Sequence, residues 1–371
     1  MPMTRPVSPD PTPPVIPPRV TNSQLASALL ALSAAEEPGS RPAKELRAAA
    51  WTLRQIETEL CGRRIRLAGL PDVTPRAADV IESFLACGSD ESIEDNLASI
   101  LERRDPASER KRDFLSRADV DRILAVSGGL SLSDLRGDLH LHTDRSDGKL
   151  PLSRLHHVLS ERGDSYAFLT DHARDCAVAG GLFPGDFRAQ RHELDRLNER
   201  DPYGFTMLLG AEANVAEDGT LDVTPARVPE LAAVIASIHT DLRSPRDQTA
   251  RFVRALETKG VAILGHPRCR LYDLRGGLRA DWQRVFATAA TCGVAVELNG
   301  CPERLDLDPR LARLANDAGC LFAISSDTHA HRHLDFLRYG LAVARLAGVP
   351  AERVVNTYSR ERFVDWIESR A

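Results

Sequence analysis

The chain has 371 residues, 43% hydrophobic and 27% charged, with a formal net charge of -5. That length allows more than one domain, and the charge balance excludes a globally basic protein drawn to nucleic acid or to a membrane surface. Seven cysteines with no CxxC pair fit reduced thiols in a cytoplasmic protein better than a disulfide framework.

The first 18 residues hold eight prolines, so 1–20 is expected to be an extended or disordered tail and not a secretory signal. No later run approaches the length of a membrane span. Residues 21–105 read as a helical domain. NSQLASALLALSAAEE opens on an N-cap, Asn22 or Ser23, and spaces its leucines helically. RPAKELRAAAWTLRQIETEL puts Leu46, Ala50, Leu53 and Ile56 on one face. The turn GLPDVTP and another apolar helix follow, and the charged stretch 106–135 reads as a connector.

From 136 to 371, seven apolar runs alternate with helical stretches: DLHLH, YAFLTDH, TMLLGAE, AVIASIH, VAILGHP, VAVELNG and LFAISSDTH. Such alternation predicts a parallel α/β fold. Six runs end in side chains able to bind a metal: His140 with His142, His172, Glu212, His239, His266, and Asp327 with His329. Asn299 ends the seventh. Chemistry at the carboxyl end of every strand marks a (β/α) barrel, whereas a doubly wound sheet gathers its site at one crevice.

Residues i and i+2 of a strand point the same way, so His140 and His142 can share an ion, and Asp327 and His329 repeat the pattern. Asp147 sits in the turn SDG, which can fold its carboxylate back toward them. Glu212 is the natural bridging ligand, one oxygen to each of two cations. Mixed imidazole and carboxylate ligands suit Mn or Zn first, with Fe or Mg as further choices. His156, His157, His192, His331 and His333 have no such placement, and Cys269 and Cys301 follow strand ends without a histidine partner.

The motifs GDLHLHTDRSDG, LTDH, GAE followed by DGTLDV, IASIH, LGHPRCR, VELN and SSDTH appear in that order. In them the chain resembles the polymerase and histidinol phosphatase (PHP) superfamily over roughly 136–371. The resemblance implies a distorted seven-stranded (β/α) barrel with three divalent metal ions that cleaves phosphoesters. It implies one ion on His140, His142, Glu212 and Asp327, a second on Glu212, His239 and His266, and a third on Asp147, His172 and His329. Arg270, or its competitor Arg268, would hold the substrate phosphate, and Asp171 and Asn299 would orient ligands.

LSLSDLRGDLHLHT and VVNTYSRERFVDWI are similar to the borders of the C-terminal PHP domain of bacterial family X DNA polymerases. Residues 21–100 vaguely resemble the small helical domain, with its helix-hairpin-helix, that opens those enzymes. The stretch 105–136 has no room for palm and thumb subdomains, so no polymerase activity is expected. Asp119 and Asp121 have the spacing of polymerase carboxylates but read as a solvated helix. The candidate hairpin turn has Gly69 but Asp72 or Thr74 where a second glycine would sit, and 21–105 carries 14 acidic against 10 basic residues, which weakens phosphate attraction.

The expected function is metal-dependent hydrolysis of phosphodiesters, such as single-stranded DNA degraded from 3′ ends, with a DNA-repair partner. The alternatives are a phosphomonoesterase acting on a small metabolite and a non-catalytic metal-binding interaction module.

Overall fold

The computed structural model describes residues 20–37, 39–57, 59–60, 67–86, 114–174, 179–272 and 274–370. Apart from Val20, the expected tail 1–20 lies outside the described residues. The chain divides into two units, Met1–Arg104 and Asp105–Ala371.

The first unit contains α1 (Asn22–Ser33), α2 (Arg41–Gln55) and α3 (Pro75–Leu85). The N-cap of α1 is Thr21, one residue before the expected position. Its side chain accepts from Gln24 N, and the Gln24 side chain returns to the Thr21 amide, which closes a capping box. Asn22 is instead buried, and its side-chain oxygen accepts from Leu60 N at 2.9 Å. Leu46, Ala50 and Leu53 of α2 are buried, while Ile56 falls just past the helix as its C-cap. Thr74 caps α3 by accepting from Ala77 N at 3.3 Å, with Pro75 in the first turn.

The second unit opens with α4 (Arg117–Ala125) and continues α5 (Leu152–Arg162), β1 (Tyr166–Leu169), α6 (Pro184–Glu199), β2 (Thr206–Asn214) and β3 (Ala233–Ser237). Then come α7 (Thr249–Leu256), β4 (Val261–Leu264), α8 (Trp282–Cys292), β5 (Ala295–Asn299), α9 (Pro309–Asp317), β6 (Leu321–Ser325), α10 (Leu337–Leu346) and α11 (Arg360–Glu368). The stretch read as a connector therefore carries α4, which packs on α10. Asp119 belongs to a capping box with Ser116, and Asp121 pairs with Arg117 at 3.2 Å and with Arg338 of α10 at 3.0 Å. Arg345 of α10 donates to carbonyls at the carboxyl end of α4, including Ile123 O at 3.0 Å.

The six strands pair in parallel in chain order, β1 through β6. Consecutive order without a reversal is the arrangement of a TIM-like α/β fold. The seventh expected strand, DLHLH, is not a regular strand. Leu141 makes single parallel bridges to Leu169 on one side and to Thr328 on the other, so this segment links the two edges of the sheet. The ladder is interrupted because the Leu141 amide donates to the Thr170 hydroxyl at 3.1 Å and not to a strand carbonyl.

The strands are buried along nearly their whole length, as parallel strands covered by helices must be. At their amino ends Tyr166, Ala233 and Ala295 pack with Leu139 against Val355, Tyr358, Phe363 and Ile367. The Tyr166 ring stacks on Phe363 with centroids 4.1 Å apart, and its hydroxyl donates to Val355 O at 3.0 Å. This leaves the carboxyl ends for polar side chains. Among the described residues no helix is long and apolar enough to cross a membrane.

Candidate metal centre

All nine side chains expected as ligands meet at the carboxyl ends of the strands, and the centre of the cluster is Glu212. It lies inside β2 and is almost wholly buried. One carboxylate oxygen, Oε2, stands 3.3 Å from His140 Nε2 and 3.1 Å from His172 Nδ1. The other, Oε1, stands 3.2 Å from His239 Nε2 and 2.8 Å from His266 Nε2. One carboxylate thus divides two sets of imidazoles.

A third set surrounds Asp147. Its Oδ2 is 3.2 Å from His329 Nε2 and 3.6 Å from His172 Nε2, and its Oδ1 is 3.8 Å from His142 Nδ1. Asp327 Oδ1 lies 3.5 Å from His142 Nε2 and 3.9 Å from His140 Nε2. Three groups have ligand atoms close enough to hold an ion: His142, Asp147, His172 and His329; His140, His142 and Glu212; and His172, Glu212 and His239. His142 and His172 each belong to two of them, a sharing that the spacing of residues in the chain does not reveal.

The local backbone explains how the cluster is assembled. His239, His266 and Asp327 each lie two residues beyond the last residue of their strand. His266 and Asp327 have φ of 23° and 53°, a costly region for residues with a side chain and one that concentrates at functional sites. The turn bearing Asp147 depends on Gly148, where a Cβ would stand 2.5 Å from the His142 carbonyl oxygen.

Asp171 accepts from the Glu212 amide through its carbonyl at 3.2 Å, and its carboxylate faces other groups. It accepts from Thr143 N at 2.7 Å, Thr143 Oγ1 at 2.6 Å, Ser146 Oγ at 2.6 Å and Gln190 Nε2 at 2.6 Å, tying the Asp147 turn to β1. Asn299 Nδ2 donates to Asp327 Oδ2 at 3.1 Å and so fixes that carboxylate.

Sequence reasoning passed over two residues. Glu297, fully buried in β5, accepts from His140 Nδ1 at 2.7 Å, from the His266 amide and from the Ser325 hydroxyl. With Nδ1 so engaged, His140 presents Nε2 to Glu212. His329 is set the same way, its Nδ1 lying 2.8 Å from Asp327 O. The signal for Glu297 was present: a carboxylate within the apolar run VAVELNG needs a buried partner, and it shares a strand face with Asn299. The second is Arg304, whose Nε pairs with Asp327 Oδ2 at 3.1 Å. No local pattern marked it, since it sits in a loop.

The two arginines expected at the phosphate are engaged elsewhere. Arg270 is 3% exposed, donates from Nε to Arg304 O and Leu305 O at 3.0 Å each, and stacks over Phe114. Arg268 pairs with Asp308 at 2.9 Å and donates to Gly276 O at 2.6 Å. Both brace the loops behind the cluster. His156 bonds to Asn198 and His157 pairs with Glu161, away from the ligands, while His333 Nδ1 accepts from the His329 amide at 3.3 Å. Cys269 is buried against Ile238 O, and burial pushes the Cys301 thiol up to about 12, so neither is a ready nucleophile.

Electrostatics favour cation binding. Burial opposes the charge on Glu212, but His172, His140 and His239 outweigh it and hold the carboxyl well below its ordinary range. Asp327 behaves alike, with burial overcome by His140, His142 and Arg304. His142 moves the other way, down to about 4, through burial and the neighbouring His329 and His172. Its ring stays neutral, the form that donates a lone pair to a metal.

The ring nitrogens test whether ions fit. His140 Nε2 and both nitrogens of His142 are buried without a hydrogen-bond partner among the described residues, a state that costs free energy unless something accepts them. They face carboxylate oxygens at 3.3 to 3.9 Å, longer than a good hydrogen bond. Two ligands about 2.1 Å from one tetrahedral ion stand about 3.4 Å apart. The donor set and its spacing fit divalent metals.

No family model matches the chain. Among curated proteins, the DNA polymerase/3'-5' exonuclease PolX of Bacillus subtilis (strain 168) is 33% identical over 231 residues, 62% of this chain and 40% of that protein. A probable phosphatase of Shewanella sediminis is 28% identical over 247 residues, 63% of this chain and 94% of that protein. These similarities are consistent with the resemblance to the PHP superfamily. The chain spans less than half the length of PolX but nearly the whole of the probable phosphatases, including one of Thermoanaerobacter sp. (strain X514) that is 27% identical and 91% covered. Among solved structures, histidinol phosphate phosphatase from Lactococcus lactis, complexed with zinc, L-histidinol and phosphate, aligns with a TM-score of 0.43 and 16% identity, covering 57% of this chain and 94% of that one.

Proposed function

We propose that this protein is a metal-dependent phosphoesterase that hydrolyses phosphodiesters, with the 3′ ends of single-stranded DNA as its substrate and a DNA-repair partner. The observation that carries the reading is Glu212, one buried carboxylate with an imidazole set on each oxygen. Three divalent ions, Mn²⁺ or Zn²⁺ before Fe²⁺ or Mg²⁺, would be held by the imidazoles and carboxylates gathered around Glu212. Bound there, divalent ions would supply Lewis-acid neutralisation of phosphoryl charge and a more acidic water.

The chain's own residues do the rest. Glu297 and the Asp327 carbonyl hold His140 and His329 by Nδ1, so that Nε2 faces inward. Asn299 and Arg304 fix the Asp327 carboxylate. Arg304 takes the role expected of Arg270: its guanidinium sits at the cluster and is 26% exposed, placed to hold the phosphoryl oxygens with its remaining donors. Nothing in 117–125 offers polymerase chemistry, since Asp119 and Asp121 are used in a cap and in ion pairs.

A second reading, a phosphomonoesterase acting on a small metabolite, is favoured by the nearly full-length match to probable phosphatases. The full chain, supplied with Mn²⁺, separates the two on 5′-labelled single-stranded DNA and a panel of phosphomonoesters, with His142→Ala as control. The expected result is stepwise shortening of the DNA, slowed at least about 100-fold in the variant. Phosphate release from monoesters alone overturns the diester reading. Activity toward neither overturns the enzyme and leaves a metal-binding interaction module.

A further inference from the structure

Between the loops that follow His239 and His266 lies a groove of about 590 Å³ that the reading above does not use. One wall is the loop after His239, carrying Arg243, and the other is the loop after His266, carrying Arg275 and Arg279. The second wall is a hairpin. Leu271 N donates to Arg275 O at 3.0 Å and Leu278 N to Arg268 O at 2.7 Å. Gly277, at φ +96°, makes its turn, and a Cβ there would stand 2.9 Å from the Arg268 carbonyl. Arg275 Nε donates to Cys269 O at 3.2 Å, which fixes where its guanidinium lies.

Neighbouring arginines are paired: Arg246 with Glu217, Arg268 with Asp308 and Arg304 with Asp327. Arg243, Arg275 and Arg279 differ, because among the described residues no carboxylate lies within ion-pair distance of them. Burial first, and then the cations of Arg304 and Arg243, push the pKa of Arg275 below its ordinary value. The basic residues therefore form a series from Asp327 outward, through Arg304 and Arg275 to Arg243. The whole chain carries a net charge of -5, so the local excess is not a consequence of composition. Mutually repelling cations facing one groove are stabilised by a bound anion.

We propose that this groove is a second phosphate subsite, which holds a backbone phosphate of a single-stranded nucleic acid while a neighbouring ester occupies the metal centre. The inference rests on the phosphoesterase reading of that centre and sharpens its substrate class. A nucleotide strand offers a phosphate at every residue, whereas a small phosphomonoester has none to place there. Leu274, half exposed in the same groove, offers apolar surface to a base.

The test compares the full chain with the double variant Arg243→Gln/Arg279→Gln and with Arg275→Gln. Binding of a labelled single-stranded oligonucleotide is read by anisotropy with Ca²⁺ in place of Mn²⁺, and KM is measured with Mn²⁺ on the oligonucleotide and on bis(p-nitrophenyl) phosphate. The expected result is oligonucleotide binding at least about tenfold weaker, with a salt dependence shallower by about one unit of slope for each phosphate no longer neutralised. The ratio of the two KM values rises by a similar factor. Unchanged binding and slope, or equal changes in both KM values, overturn the subsite. If the wild type cleaves the small diester but binds no oligonucleotide, the subsite falls and the phosphoesterase stands. If arginine-dependent binding persists while neither ester is cleaved, the groove stands and the catalytic reading falls.

Discussion

The two ends of the parallel sheet are made from the same strands yet obey different rules. At the amino ends, Tyr166, Phe363 and Ile367 are buried in one hydrophobic cluster. At the carboxyl ends, His140, His142 and Glu212 are just as buried but charged or polar, with ring nitrogens left without hydrogen-bond partners among the described residues. Burial alone therefore does not separate a core from a site. What separates them is that the carboxyl end gathers several imidazoles and carboxylates whose ring nitrogens find no hydrogen-bond partner among the described residues.

Mutations should divide along the same line. Phe363→Ala, at the apolar end, is expected to destabilise the protein by about 3–5 kcal/mol through loss of a buried ring, with kcat/KM of the folded protein unchanged. Chemical denaturation beside active-site titration checks both, and a large loss of intrinsic rate would break the division. Glu212→Gln should do the reverse. We expect kcat/KM to fall about 10²–10³-fold, and the rise in Tm on adding Mn²⁺ to vanish. In the wild type that rise should fade as the pH falls toward about 4, where the His142 ring takes up a proton.

Glu297→Gln tests a residue that touches a ligand but no ion. Metal affinity is expected to drop about 10- to 100-fold, read by calorimetry, with activity recovered at high Mn²⁺. Failure to recover would place Glu297 nearer the chemistry. The smallest effect is assigned to Asp121→Asn. Its ion pairs with Arg117 and Arg338 are partly exposed, so the cost is at most about 1 kcal/mol, and phosphoester turnover is unchanged.

What was legible from the chain followed from local rules. Runs ending in His, Asp or Glu are visible because a strand is a local object with a period of two, and eight such side chains in the expected order mark one sheet end. The helices of the first unit were readable for the same reason, with α1 displaced by one residue because Thr21 and Gln24 cap each other. The run DLHLH looked like a seventh strand because sequence shows hydrophobicity and not which acceptor an amide finds. The Thr170 hydroxyl takes the Leu141 amide.

The chain by itself determined which side chains gather at the strand ends, that one carboxylate lies among several imidazoles, and that the sheet is parallel. Tertiary structure decided how those ligands are shared and what supports them. His142 faces both Glu212 and Asp147, Glu297 reaches His140 across 157 positions, and Arg304 pairs with Asp327 at the cluster while Arg270 donates to the carbonyls of Arg304 and Leu305. Hydrogen bonds and ion pairs depend on distances of a few ångströms between strands far apart in the chain. No periodicity within one strand encodes them.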